Sequence, residues 1–138
     1  MEDNKAIARR FFEVVFSQGK LALADEIIDP EFLEVGPAAL PGLPYGPEGM
    51  KLFIMAYRNA FPDLRFEIEE QVAEGDKVVS RWTASGTHLG ELAGIPPTGK
   101  SASVPGVSIN RFRNGKMIAA WAIFDQFSML KQLGVIPA

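Results

Sequence analysis

The apolar positions of this chain change period once, dividing it into a helical first half and a stranded second half. From about Asn4 to Ser17, Ile7, Phe11, Val14 and Val15 recur at i, i+4, i+7 and i+8, and Gly19 follows where a helix stops. A second short helix is predicted over Leu21–Ile28, with Pro30 preventing its extension. Phe32–Val35 reads as a short strand. A third helix is predicted over Glu48–Phe61, opened by Pro47 and ended by Pro62. Beyond Pro62 the period is 2, with Leu64, Phe66, Ile68 and Val72 set against Arg65, Glu67, Glu69 and Gln71. Further strands are predicted over Val78–Thr87, Ser103–Arg113 and Lys116–Gln126. They are joined by the turn Glu74-Gly75-Asp76, a Gly- and Pro-rich loop from Gly90 to Gly99, and a tight Asn114-Gly115 hairpin. A short helix over Phe127–Leu133 closes the chain, with Gly134 behind it. Strands joined without intervening helices form an antiparallel meander, and helices at the front cover only one of its faces. The expected fold class is α+β: a curved antiparallel sheet packed on N-terminal helices around a small-molecule pocket.

Between the short strand and the third helix lies Gly36–Pro47, with four prolines and three glycines. Its Leu40, Leu43 and Tyr45 give it apolar weight. It is either a pocket rim or a loop packed on the core, and the pattern leaves both open.

At 138 residues, 47% of them hydrophobic and 22% charged, the chain is sized for one domain spanning 1–138. The absence of cysteine removes disulfide and thiolate chemistry and fits a reducing cytoplasm, the expected location. A net charge of -3 speaks against a nucleic-acid partner. The acidic start Met1-Glu2-Asp3-Asn4-Lys5 is not that of a leader peptide, and no apolar run approaches a membrane span.

Gly94-Ile95-Pro96-Pro97-Thr98-Gly99-Lys100-Ser101 spells the phosphate-loop pattern G-x-x-x-x-G-K-[ST], but the chemistry fails. Pro96 and Pro97 have no N–H to aim at a phosphate, and Ser101 onward alternates like a strand instead of opening a helix. A metal site is not expected either, because His88 is the sole histidine and no cysteine accompanies it. Beside Gly86 and Gly90, His88 suits a loop residue bonded to backbone. On the last strand Trp121, Ile123 and Asp125 share one face, and Ala120, Ala122, Phe124 and Gln126 the other. A carboxylate in line with Trp and Ile is either a desolvated acid/base or the cap of the helix that follows. The alternation does not choose. Arg81 and Arg111, inside otherwise apolar strands, either pair with a buried carboxylate or face solvent.

An ordered series of short blocks resembles the SnoaL-like polyketide cyclase family, also called ester cyclase-like. The blocks are Phe61-Pro62-Asp63-Leu64, Gly75-Asp76-Lys77-Val78-Val79, Arg81-Trp82-Thr83, Gly86-Thr87-His88-Leu89-Gly90-Glu91, the Gly94–Lys100 run and Asn114-Gly115-Lys116. Trp121, Asp125-Gln126 and Gln132-Leu133-Gly134-Val135-Ile136-Pro137 complete it, and Asn4-Lys5 and Arg10-Phe11-Phe12 also fit. The resemblance implies the cone-shaped fold of nuclear transport factor 2 and ketosteroid isomerase, usually as a homodimer, with a pocket between sheet and helices. It implies ring closure by intramolecular aldol condensation without cofactor or metal, and an acid/base aspartate matching Asp125. Many relatives carry a histidine near Val35 and another just before the tryptophan, where this chain has Ala120.

Two classes of function follow. The first is a cofactor-free cyclase or isomerase for an apolar, carbonyl-bearing small molecule. Asp125 would be its acid/base, with Trp121, Phe124, Arg81, Tyr45, Trp82 and His88 as substrate-binding candidates. The second is a non-catalytic ligand-binding or dimerisation module of the same fold. A weaker enzymatic variant is epoxide hydrolysis, for which only Asp125 with Arg81 or Arg111 can be nominated.

Overall fold

The computed structural model describes residues 3–137; Met1, Glu2 and Ala138, the ends of the expected domain, lie outside the described residues. The first helix begins as α1, Asn4–Arg10, whose Asp3 carboxylate accepts the Ala6 N–H, and continues as a wider π-helical turn over Phe11–Phe16. This turn brings Phe11, Phe12 and Phe16 all to the interior. A single turn, Leu21–Leu23, leads into α2, Ala24–Ile27.

The next strand, β1, runs Ile28–Val35 and is longer than the pattern predicts, taking in Asp29 and Pro30. Proline is tolerated there because β1 is an edge strand, with an irregular register between Ile28 and Leu33. Helix α3, Gly46–Ala60, starts two residues earlier than expected, with Pro47 in its first turn. Then come β2 (Arg65–Glu74), β3 (Lys77–Thr87), β4 (Ser101–Arg113), β5 (Lys116–Phe124) and the closing α4 (Gln126–Gln132). Ser101 opens a strand, as the rejection of the phosphate loop requires.

The sheet order is β1-β5-β4-β3-β2. The β2 to β5 meander is antiparallel, but β1 pairs with β5 in parallel, which the antiparallel expectation did not include. β1 therefore runs in the direction of β5 and β3, and opposite to β2 and β4. Helices and sheet meet in an aromatic cluster: Phe12, Phe16, Phe66 and Trp82, with Phe66 edge-on to Trp82 at 4.8 Å between centroids.

The two sheet faces differ in side-chain size. Across the strands, Val72, Val79, Ile109, Trp121 and Val35 stand in register on the outer face. The corresponding inner row is Ala73, Val78, Asn110, Ala120 and Glu34. Small residues on the inner side of β4 and β5 leave space between sheet and helices. That space is the site.

Candidate active site

A cavity of about 810 Å³, its open mouth included, lies between the sheet and the helices. Its walls are the Phe11–Phe16 turn, Met50, Phe53 and Tyr57 of α3, and Trp82, Val104, Ala120, Ala122 and Phe124 of the sheet. The apolar lining suits a small-molecule site. Polar groups are few: Glu34, Tyr57, Ser85, Ser108 and Asn110. Ser108 is already engaged, its Oγ accepting the Trp82 indole N–H at 3.0 Å.

Glu34 is the group with reactive potential. It follows the core residue Phe32 by two on β1 and therefore shares its inward face. Burial pushes its carboxyl up from 4.5 to about 8, and its Oε2 is buried without a hydrogen-bond partner. Tyr57 is raised as well, by burial first and then by the Glu34 charge, so the two groups sense each other. A second cavity shares Glu34, Met50 and Phe53 with the first and is bordered by Leu40, Leu43 and Pro44. The long apolar loop therefore borders the space on the outer side of Glu34. Its Tyr45 does not line either cavity and stays exposed at the start of α3.

The residues singled out from the sequence separate into two groups. Trp82 and Phe124 line the cavity. The others stand elsewhere, for reasons that trace to alternation and turn geometry. The β5 alternation is as expected, but its inward face is that of Ala120, Ala122 and Phe124. Trp121 is consequently on the outer face, with its indole against Gly36, where a Cβ would lie 2.8 Å from Nε1. Arg81 is on the outer face of β3, its Nε 3.0 Å from Glu70 in an exposed pair; Arg111 pairs in the same way with Asp76 at 3.3 Å. His88 is fully buried outside the cavity wall; its Nδ1 accepts the Thr98 N–H at 3.2 Å, and its ring lies against Phe61. That is the backbone-bonded loop histidine expected from the sequence. Asp125 lies one residue beyond Phe124, exposed, where it caps α4 and accepts the Ser128 N–H at 3.0 Å. Of its two readings from sequence, this geometry is the cap.

The sequence profile of the SnoaL-like polyketide cyclases matches residues 6–133. The chain belongs to that family. Among its relatives, the aklanonic acid methyl ester cyclase AcmA of Streptomyces galilaeus is 30% identical over 121 residues, which cover 85% of this chain and 81% of that protein. The nogalonic acid methyl ester cyclase of Streptomyces nogalater is 31% identical over 123 residues, covering 86% of this chain and 89% of that protein. Among solved structures, TsrD of Streptomyces laurentii superposes with a TM-score of 0.86 at 27% identity, covering 99% of this chain and all (100%) of that one. IdmH of Streptomyces antibioticus gives a TM-score of 0.82 at 29% identity, with 96% and 99% coverage. The chain thus has the nuclear transport factor 2-like fold of the SnoaL-like cyclases, and the two Streptomyces methyl ester cyclases among its relatives are cyclases by name. Among the described residues no helix is long and apolar enough to cross a membrane.

Proposed function

We propose that this SnoaL-like protein is a cofactor-independent, metal-free cyclase or isomerase for an apolar carbonyl-bearing small molecule, with Glu34 as its acid/base. The observation that carries the reading is a carboxyl with a partnerless oxygen, facing an apolar cavity and titrating at about 8. A buried carboxylate is a stronger base than one in water and returns its proton readily. In its ionised form Glu34 takes a proton from the carbon next to a substrate carbonyl, leaving an enolate. In an aldol closure the enolate carbon attacks a second carbonyl of the same molecule, one C–C bond forms, and the new alkoxide recovers the proton from Glu34. In an isomerisation the proton returns to a different carbon. Neither sequence needs an external oxidant or reductant. The histidine positions noted near Val35 and at Ala120 are then replaced in function by the Glu34 carboxyl, which lies beside both.

Asp125 is the rival acid/base, favoured by its place directly after the cavity residue Phe124. The deciding experiment follows deuterium entry α to the carbonyl of 2-tetralone in D₂O by NMR, with wild type, Glu34→Gln and Asp125→Asn. Wild type is expected to accelerate exchange with a rate that climbs through pH 8, and Glu34→Gln to lose at least ~100-fold. Asp125→Asn, which preserves the cap, is expected to retain the rate. Loss confined to Asp125→Asn transfers the role to Asp125. Binding of the ketone without exchange in wild type supports the non-catalytic module instead.

The reading includes a homodimer in the cytoplasm. The outer row of Val35, Trp121, Ile109, Val79 and Val72 supports it, because Trp121 at 38% exposure and Val72 at 59% belong to one continuous apolar face. Sedimentation equilibrium is expected to give twice the 15.1 kDa chain mass for wild type. Ile123→Arg, on the same face, is expected to give the chain mass alone. A wild-type mass of one chain removes the dimer.

A further inference from the structure

Two buried side-chain oxygens without partners belong to residues in register on either side of β5. Asn110 is 1% exposed; its Nδ2 donates to Met117 Sδ at 3.3 Å, and its Oδ1 is buried with no hydrogen bond. Glu34 Oε2 is in the same condition. Both residues line the cavity, and both are in register with Ala120, Glu34 from β1 and Asn110 from β4. With strands ~4.8 Å apart, their backbones stand ~10 Å from each other. Ala120 puts only a methyl between them. A buried oxygen left unpaired is destabilising, and two of them bordering one gap mark a position that an outside group fills.

We propose that this row is a recognition site for a ligand hydroxyl, of the enolic or phenolic kind, held between Asn110 as acceptor and Glu34 as donor. It rests on the reading of the cavity as a small-molecule site and adds the polar group that the molecule must carry. Oxygen chemistry selects the hydroxyl. Asn110 Oδ1 only accepts, because its own amide hydrogens lie on Nδ2. A ligand carbonyl answers Glu34 in its protonated form and leaves Asn110 unpaired. An ether does the same. A hydroxyl donates to Asn110 and accepts from Glu34, which satisfies both. Since the rest of the wall is apolar, the matching ligand is a ring system with an O–H at one end. The enol of a bound ketone meets that description.

The test compares binding of naphthalene, 2-methoxynaphthalene and 2-naphthol at pH 6 by titration calorimetry, in wild type and in Asn110→Leu. In wild type, 2-naphthol is expected to bind at least ~10-fold more tightly than 2-methoxynaphthalene, the factor of one buried hydrogen bond. In Asn110→Leu, which replaces the carboxamide by an apolar group of similar size, that ratio is expected to fall below ~3-fold with naphthalene affinity preserved. Its thermal midpoint is expected at or above wild type, because the unpaired oxygen is gone. Equal affinities of the hydroxyl and methoxy probes in wild type overturn the proposal while leaving the cavity a ligand site. A preference that survives in Asn110→Leu also overturns it. Binding of none of the three probes overturns the proposal and the reading beneath it together.

Discussion

Wild-type protein is expected to lose about 3 kcal/mol of folding stability relative to Glu34→Gln as the pH rises from 4.5 to 8. The sign follows from where the proton resides. Burial raises the folded-state pKa of Glu34 from 4.5 to about 8, so in this window the native state holds a proton that the unfolded chain has released. The native state binds more protons, and stability therefore falls with pH. Below 4.5 the carboxyl is neutral in both states and its contribution is fully present; above about 8 it is ionised in both and that contribution is gone. At about 1.36 kcal/mol per unit the full displacement is worth between 4 and 5 kcal/mol, roughly, and water entering by the cavity mouth reduces it to about 3. Urea unfolding of both proteins at a series of pH values isolates the term, since all other titrating groups cancel in the difference. Parallel stability curves would put the Glu34 carboxyl in contact with solvent and remove the basis of its acid/base role.

That Glu34 escaped the sequence reading has a physical cause. Phe32–Val35 reads as apolar, Glu34 being its single charge, and a period of 2 assigns faces without saying which is inside. Leu33 and Val35 are large and apolar, so the face with Glu34 looks like the solvent side. In the structure the outer face also carries large apolar side chains, Val35, Trp121 and Ile123 among them, so the rule that hydrophobic means interior fails there. The same inversion explains Trp121. On β5 the bulkier residues, Trp121 and Ile123, are half-exposed outside, while Ala120 and Ala122 are buried inside. A cavity needs small residues where a packed core has large ones, and its wall then resembles the weaker face of the strand. The signal available in advance was the pair Phe32 and Glu34 on one face, an aromatic and an acid two residues apart.

What was legible was what depends on local chemistry. The hairpin at Asn114-Gly115, the turn at Gly75, the opening of α3 by Pro47 and the strand after Ser101 follow from residues within a few positions of each other. The parallel pairing of β1 with β5 joins residues about ninety apart in sequence, such as Glu34 and Ala120, and no local pattern encodes it. The polar row of the cavity exists only through that pairing. Asp125 shows the limit from the other side. Its two roles, cap and acid/base, require the same residue at the same strand end, and the Ser128 hydrogen bond shows the cap.

Trp82→Ala is expected to cost about 3–5 kcal/mol, the range for a large aromatic removed from a core. Trp82 is 5% exposed, packs on Phe12 and Phe66, and donates its indole N–H to Ser108. Its opposite in register on β4 is Gly106, and the indole lies over that glycine so closely that a Cβ there would stand 2.6 Å from Cζ2. Gly106 is therefore required by the tryptophan, and the two substitutions should not add. Gly106→Ala in wild type forces the indole out of its place and is expected to cost about 1–3 kcal/mol. In the Trp82→Ala background the same methyl enters a void, and its cost is expected to vanish or reverse. The four proteins, unfolded in urea, form a double-mutant cycle whose coupling measures the contact. Because Trp82 also lines the cavity, the space it leaves opens into the ligand site, and Trp82→Ala is expected to bind naphthalene-sized probes less tightly than wild type. Additive costs in the cycle would mean that the indole does not rest on Gly106, and that this wall of the cavity is packed differently from the arrangement described above.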